Sequence, residues 1–131
     1  MKRTGWAIAL AILVATSAPA AQAPVVGTMT VRTFLAKVAR LKALGPSAVT
    51  SPDLAQVKDE VRAAGVALKQ DSDAREKAGK PPLSCPPKGT KMTGGEFLGT
   101  LEALPSAARD VPLRQGFAFV LARRYPCTKR L

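Results

Sequence analysis

The residues able to do chemistry in this chain are few, and their spacing is informative. There is no histidine, so the commonest general base and the commonest metal ligand are both missing. Cys85 and Cys127 are the only cysteines. Two distant thiols without an imidazole cannot complete a zinc shell, and serine or cysteine nucleophiles lack their usual base. The carboxylates Asp53, Glu96 and Asp110 each fall near the start of an expected helix, where the dipole favours negative charge. They read as helix-start charges rather than an acid/base pair, which leaves carboxylate-only catalysis as a formal option. Gly89 and Gly94-Gly95 do not follow the spacing of a phosphate-binding loop. The expectation is a protein without catalytic residues, cofactor or metal.

Positive charge is the stronger signal. No acid lies between Glu76 and Glu96, while Lys77, Lys80, Lys88 and Lys91 all do; Arg123, Arg124, Lys129 and Arg130 follow near the C-terminus. A Cys85–Cys127 bridge would draw these two basic segments together into one face. Such a face suits an anionic partner surface and electrostatic steering, and contact with anionic lipid fits the charge as well. The plainer reading is that these side chains only solvate loops and helix ends. Few aromatics are available for stacking, which argues against nucleic acid as the partner.

The first residues bear on the cysteines. Lys2 and Arg3 precede the apolar run WAIALAILVA (Trp6 to Ala15), and small residues follow in TSAPAAQAP. That order is expected of a secretory signal peptide. Cleavage after Ala20 is preferred; cleavage after Ala23 would leave Pro24 first, whose ring and missing N–H hinder a peptidase. Removing Lys2 and Arg3 from the 20 basic residues leaves 18 against 9 acids, a net charge of +9 for the mature chain. Export to the periplasm is expected, with secretion as the alternative, and no membrane-spanning segment is expected in the mature protein. In an oxidising compartment Cys85 and Cys127 favour a disulfide closing a loop of about 40 residues, worth roughly 4 kcal/mol. An intermolecular bridge is the competing pairing.

The elements that would position these groups are helices throughout. Residues 21–29 read as a flexible lead-in. Thr30 can cap a helix from Val31 to Leu44, with an apolar stripe at Val31, Phe34, Leu35, Val38 and Leu41, until Gly45-Pro46 stops it. Ser51-Pro52-Asp53 is a second start signal. The stripe Leu54, Val57, Val61, Ala64 and Leu68 then fades towards Gly79, where Asp71–Arg75, Asp73–Lys77 and Glu76–Lys80 are spaced for ion pairing. The end of this helix is expected to stand in solvent. Pro81-Pro82 and Pro86-Pro87 bracket Cys85 in a stiff loop. Thr93 and Glu96 form a capping box for a third helix with Phe97, Leu98, Leu101 and Leu104 inward. A fourth runs from Pro112, with Phe117, Val120 and Leu121 inward and Arg123 and Arg124 at its end. The predicted fold is all-α, a small bundle of four to five helices over residues 30–127 stapled by one disulfide, with a basic tail at 128–131.

With these elements in place, the segments MTVRTFLAKVARLKALGP, SPDLAQVKDEV, SCPPKGTKM and VLARRYPC together resemble the Rap/Tai-type family of type VI secretion immunity proteins. The closing Tyr125-Pro126-Cys127 is the most recognisable part. The resemblance implies a helical, disulfide-bearing periplasmic protein, often a homodimer, which binds an incoming cell-wall amidase and occludes its cleft. It implies no catalytic residues. The chain differs from members with clear immunity roles, which tend to carry more cysteines, including in the first helical region. If the role holds, the element expected to fill a cleft is the end of the second helix and its loop, about Asp71 to Lys91.

Overall fold

The computed structural model describes residues 25–128. The expected signal peptide and its cleavage sites, Lys129 and Arg130 lie outside the described residues. Four α-helices are present there: α1 (Val31–Leu44), α2 (Pro52–Lys77), α3 (Gly94–Glu102) and α4 (Leu113–Arg124). Short 3-10 turns at Gly45–Thr50 and Ser106–Ala108 connect them. The helical fold with one disulfide is therefore as the sequence predicts.

The helix starts form for local reasons. Thr30 Oγ1 accepts from the Thr33 amide, and Ser51 Oγ accepts from the Asp53 amide ahead of Pro52 at the first helical position. At α3 the capping box is complete, Thr93 Oγ1 receiving the Glu96 amide while Glu96 receives that of Thr93. Gly45, with φ +57°, turns the chain out of α1 in a conformation that disfavours side chains.

The starts of α1 and α4 are stitched to one another. Val31 N donates to Val111 O and Arg32 N to Arg109 O, while Leu113 N donates to Met29 O. Each helix thus finds partners for first-turn amides in the segment leading into the other. A bidentate Arg32–Asp110 pair covers the junction. Residues 25–29, expected as part of a flexible lead-in, are tied down by this junction. Thr28 Oγ1 also donates to Val25 O, and Gly27 N donates to Glu60 on α2. The physical reason is that Met29 O accepts the first-turn amide of Leu113 while the Gly27 amide finds its acceptor on Glu60.

Helix α2 is the spine, roughly 39 Å long at 1.5 Å per residue. It runs antiparallel to α1, with Asp53 held by Lys37 and Arg40 and Glu60 beside Gly27. Its second half packs along α4. The core joins all four helices through Val31, Phe34, Ala64, Phe97, Leu101, Leu104, Leu113 and Val120. Phe97 stacks on Phe117 at 3.8 Å between ring centroids and meets the edge of Phe34 at 6.4 Å. Gly116 is buried where α4 crosses the start of α1. A β-carbon there would sit 2.5 Å from Val31 Cγ2, so the close approach of the helices requires glycine.

Candidate functional site

The loop after α2 winds around the end of α4. Gly79, with φ +67°, turns the chain away, and Arg75 Nε reaches across the turn to Pro81 O at 2.9 Å. The irregular segment after it returns beside α2, enclosing a cleft of about 240 Å³ between Leu68, Ser72 and Arg75 on one side and Pro82, Leu83 and Pro86 on the other. Cys85 bonds Cys127, and Cys85 N donates to Tyr125 O at 2.8 Å. The loop is therefore pinned both covalently and by its backbone to the residues that end α4. The intramolecular pairing expected from the sequence is the one present.

The ion pairs expected along the outer turns of α2 are not those observed. Asp73 is taken by Lys69, one turn earlier, at 3.0 Å, and Arg75 donates to the Pro81 carbonyl instead of pairing with Asp71. The returning loop supplies an acceptor that the helix pattern alone could not reveal. The end of α2 stands in solvent as expected, with every residue from Lys69 to Ala78 exposed except the half-buried Arg75, although Pro82 and Leu83 line a cleft beside it.

The six basic residues singled out in the sequence divide into two groups. Arg124 is engaged, its Nη2 lying 2.9 Å from Glu96 Oε1, which ties the end of α4 to the start of α3. Tyr125 and then Glu96 hold the Arg124 guanidinium above its ordinary pKa. Glu96 is held below the usual carboxylate range by the Thr93 amide, the Thr93 hydroxyl and Arg124. Lys77, Lys80, Lys88, Lys91 and Arg123 are exposed and pair with no carboxylate among the described residues. Arg123 instead lies over the ring of Phe119, 5.6 Å from its centroid. Lys58, Arg75, Arg109 and Arg114 also pair with no carboxylate among the described residues, and Arg75 and Arg109 donate to backbone carbonyls instead. The disulfide thus gathers the loop bearing Lys88 and Lys91 to the helix end bearing Arg123.

A second feature of this end was not foreseen from the sequence. An apolar groove of about 400 Å³ opens between α2 and the start of α3, walled by Val61, Leu68, Met92, Phe97, Phe117 and Leu121. Gly65 and Gly94 contribute to the same groove, and neither carries a side chain that could fill it. Leu68 and Leu121 also line the cleft under the returning loop, so the two hollows flank this pair. All of these apolar residues except Met92 fall at predicted core positions. That they leave an open groove depends on how far α3 stands from α2, which no periodicity encodes.

No group of three or more histidine, cysteine or carboxylate side chains suited to a metal occurs among the described residues. No helix among them is long and apolar enough to cross a membrane. These features define a disulfide-stapled helical protein with a cationic end beside an apolar groove. Compared with protein-family models, curated proteins and solved structures, the chain gives no match.

Proposed function

We propose that this chain is an exported, non-enzymatic binding protein whose disulfide-pinned end receives an acidic protein surface. The observation that carries the reading is the set of unpaired cations, Lys77, Lys80, Lys88, Lys91 and Arg123, on the same end as the apolar groove. A buried apolar anchor surrounded by a polar rim is the organisation that concentrates binding energy in protein interfaces. The cations would speed encounter and select for acidic partners. The resemblance to Rap/Tai-type immunity proteins supplies the specific candidate, a cell-wall amidase whose cleft is occluded by about Asp71 to Lys91. Periplasmic export, homodimer formation and the immunity role belong to this proposal.

The unpaired lysines also support a second reading, a cationic envelope protein that contacts anionic lipid or polymer. The two differ in salt response. Binding carried by exposed charges alone weakens steeply as the screening length shortens, whereas an anchored protein contact keeps much of its affinity and loses mainly association rate. The test immobilises the oxidised mature chain (Ala21 to Leu131) and exposes it to envelope and secreted fractions, with washes at low and high salt. One stoichiometric cell-wall hydrolase surviving high salt, and inhibited by the free protein, is the expected result. A charge-reversed variant (Lys88→Glu with Lys91→Glu) should slow that association. Recovery of only lipid or polymer that washes away with salt would replace the first reading by the second.

A further inference from the structure

We infer, building on the acidic protein partner proposed above, that the apolar groove between α2 and α3 receives an acidic amphipathic helix of that partner. Gly65 is the first observation. It stands exposed within α2, where glycine weakens a helix relative to alanine because more backbone freedom is lost on folding. The packing of the chain does not call for it. A β-carbon at Gly65 meets nothing within 4 Å, and the same holds at Gly94, which also lines the groove. Gly116 is the contrast, since Val31 leaves no room for a side chain there. The missing side chains of Gly65 and Gly94 thus relieve no neighbour within the chain. What they do provide is a place where another backbone can come close.

Length and charge decide the occupant. From Val61 to Leu68 the α2 wall runs two turns, roughly 10 Å at 1.5 Å per residue. Apolar anchors at i, i+3 or i+4, and i+7 of an incoming helix cover the same length, and the stacked Phe97 and Phe117 give them an aromatic surface. The walls are helical, so they offer no sheet edge to an extended chain, whereas a helix arrives with its own backbone hydrogen bonds made. The surroundings select the sign. Lys58, one turn before Val61, and Lys91, next to Met92, are exposed and pair with no carboxylate among the described residues. Glu96, on α3, is already engaged by Thr93 and Arg124. A helix with acids flanking its apolar stripe complements both the groove and these lysines.

The test measures fluorescence anisotropy of labelled peptides of roughly 14 residues, long enough for marginal helicity, against the oxidised mature chain. One peptide carries leucines at i, i+4 and i+7 on a glutamate-rich background; a second replaces its glutamates by lysine, and a third places proline at its centre. The acidic peptide should bind in the micromolar range, and the other two at least roughly tenfold more weakly. Gly65→Leu should match or exceed the parent's denaturation midpoint, yet weaken the acidic peptide by roughly tenfold or more. Failure of the acidic peptide to bind below millimolar concentration, equal binding of the proline peptide, or unchanged affinity in Gly65→Leu would overturn the helix as occupant. Tighter binding of octanoate than of the acidic peptide would replace it by a lipid chain. The reading on which this rests fails separately, when capture from envelope and secreted fractions returns no acidic protein; a captured hydrolase indifferent to Gly65→Leu would sink the groove alone.

Discussion

At the scale of single residues, two positions test the packing described above. Gly116→Ala places a methyl 2.5 Å from Val31 Cγ2 and 3.3 Å from Leu101 Cδ2, both fully buried side chains with nowhere to move. Overpacking of this kind costs about 1–3 kcal/mol, and urea denaturation should register a loss of that size. Gly99→Ala is the matched control, since its β-carbon meets nothing within 4 Å. In a helix interior that change should be neutral or stabilising by up to ~1 kcal/mol. A second test concerns acid. Lys37 and then Arg40 hold Asp53 below the ordinary carboxylate pKa, and Arg32 does the same for Asp110. Because these folded-state values are depressed, the unfolded chain binds more protons as pH falls, and stability rises with pH. The contribution is complete above the unfolded value of about 4 and is lost as pH falls through the folded values. Thermal melts between pH 6 and pH 2 should show a falling midpoint over the acid range, with a shallower fall in Asp53→Asn and Asp110→Asn.

At the scale of elements, the loop from Ala78 to Thr93 has almost no regular structure and few buried side chains. Its position rests on the Cys85–Cys127 bond, the Cys85–Tyr125 backbone hydrogen bond and the Arg75–Pro81 contact. The two cysteines are 42 residues apart, and releasing a loop of that size should cost about 4 kcal/mol on the chain-entropy account. Reduction, or Cys85→Ser with Cys127→Ser, should lower the denaturation midpoint accordingly. It should also raise amide exchange across residues 80–92 before the helices open. Helix α3 depends on its own start. Its nine residues are too short to be stable alone, so Thr93→Ala should cost about 1 kcal/mol and expose the Phe97–Phe117 stack. Near-ultraviolet circular dichroism would report that loosening.

At the scale of the whole molecule, opposite ends of the bundle carry different chemistry. The end where α1 and α4 begin is closed by reciprocal backbone hydrogen bonds and the Arg32–Asp110 pair, and it contains the buried Glu60. The other end is open, cationic and held by a disulfide. Most carboxylates are consumed within the bundle, by Lys37 and Arg40, Lys42, Arg32, Lys69 and Arg124. Of the cations left without a carboxylate among the described residues, Lys77, Lys80, Lys88, Lys91 and Arg123 belong to the end of α2, the loop that follows it and the end of α4. Any association made by that end should accordingly be faster at low ionic strength, and stopped-flow binding at several salt concentrations should show the rate falling as screening increases.

What the amino-acid order determined alone was local. Thr30, Ser51-Pro52-Asp53 and Thr93 with Glu96 set helix starts through hydrogen bonds within four residues, and Gly45 and Gly79 set the ends of α1 and α2. Apolar spacing identified Val31, Phe34, Leu101 and Val120 as core, because burial of a helix face follows directly from its period. With no other thiol, the sequence favoured Cys85 with Cys127 over a bridge between two chains, and the structure shows the bond within one chain. Tertiary structure decided the rest. Glu60 lies three residues after Val57 and four before Ala64, at the edge of the apolar stripe, yet its burial depends on the lead-in chain folding across it. Arg75 turned to the Pro81 carbonyl once the loop returned along α2, while Asp73 took Lys69, a partner one turn away within the same helix. The apolar groove is lined by Gly65 and Gly94, which have no side chains to fill it, and by the stacked Phe97 and Phe117. Those outcomes depend on distances between segments remote in sequence, and such distances are fixed only when the whole core packs at once.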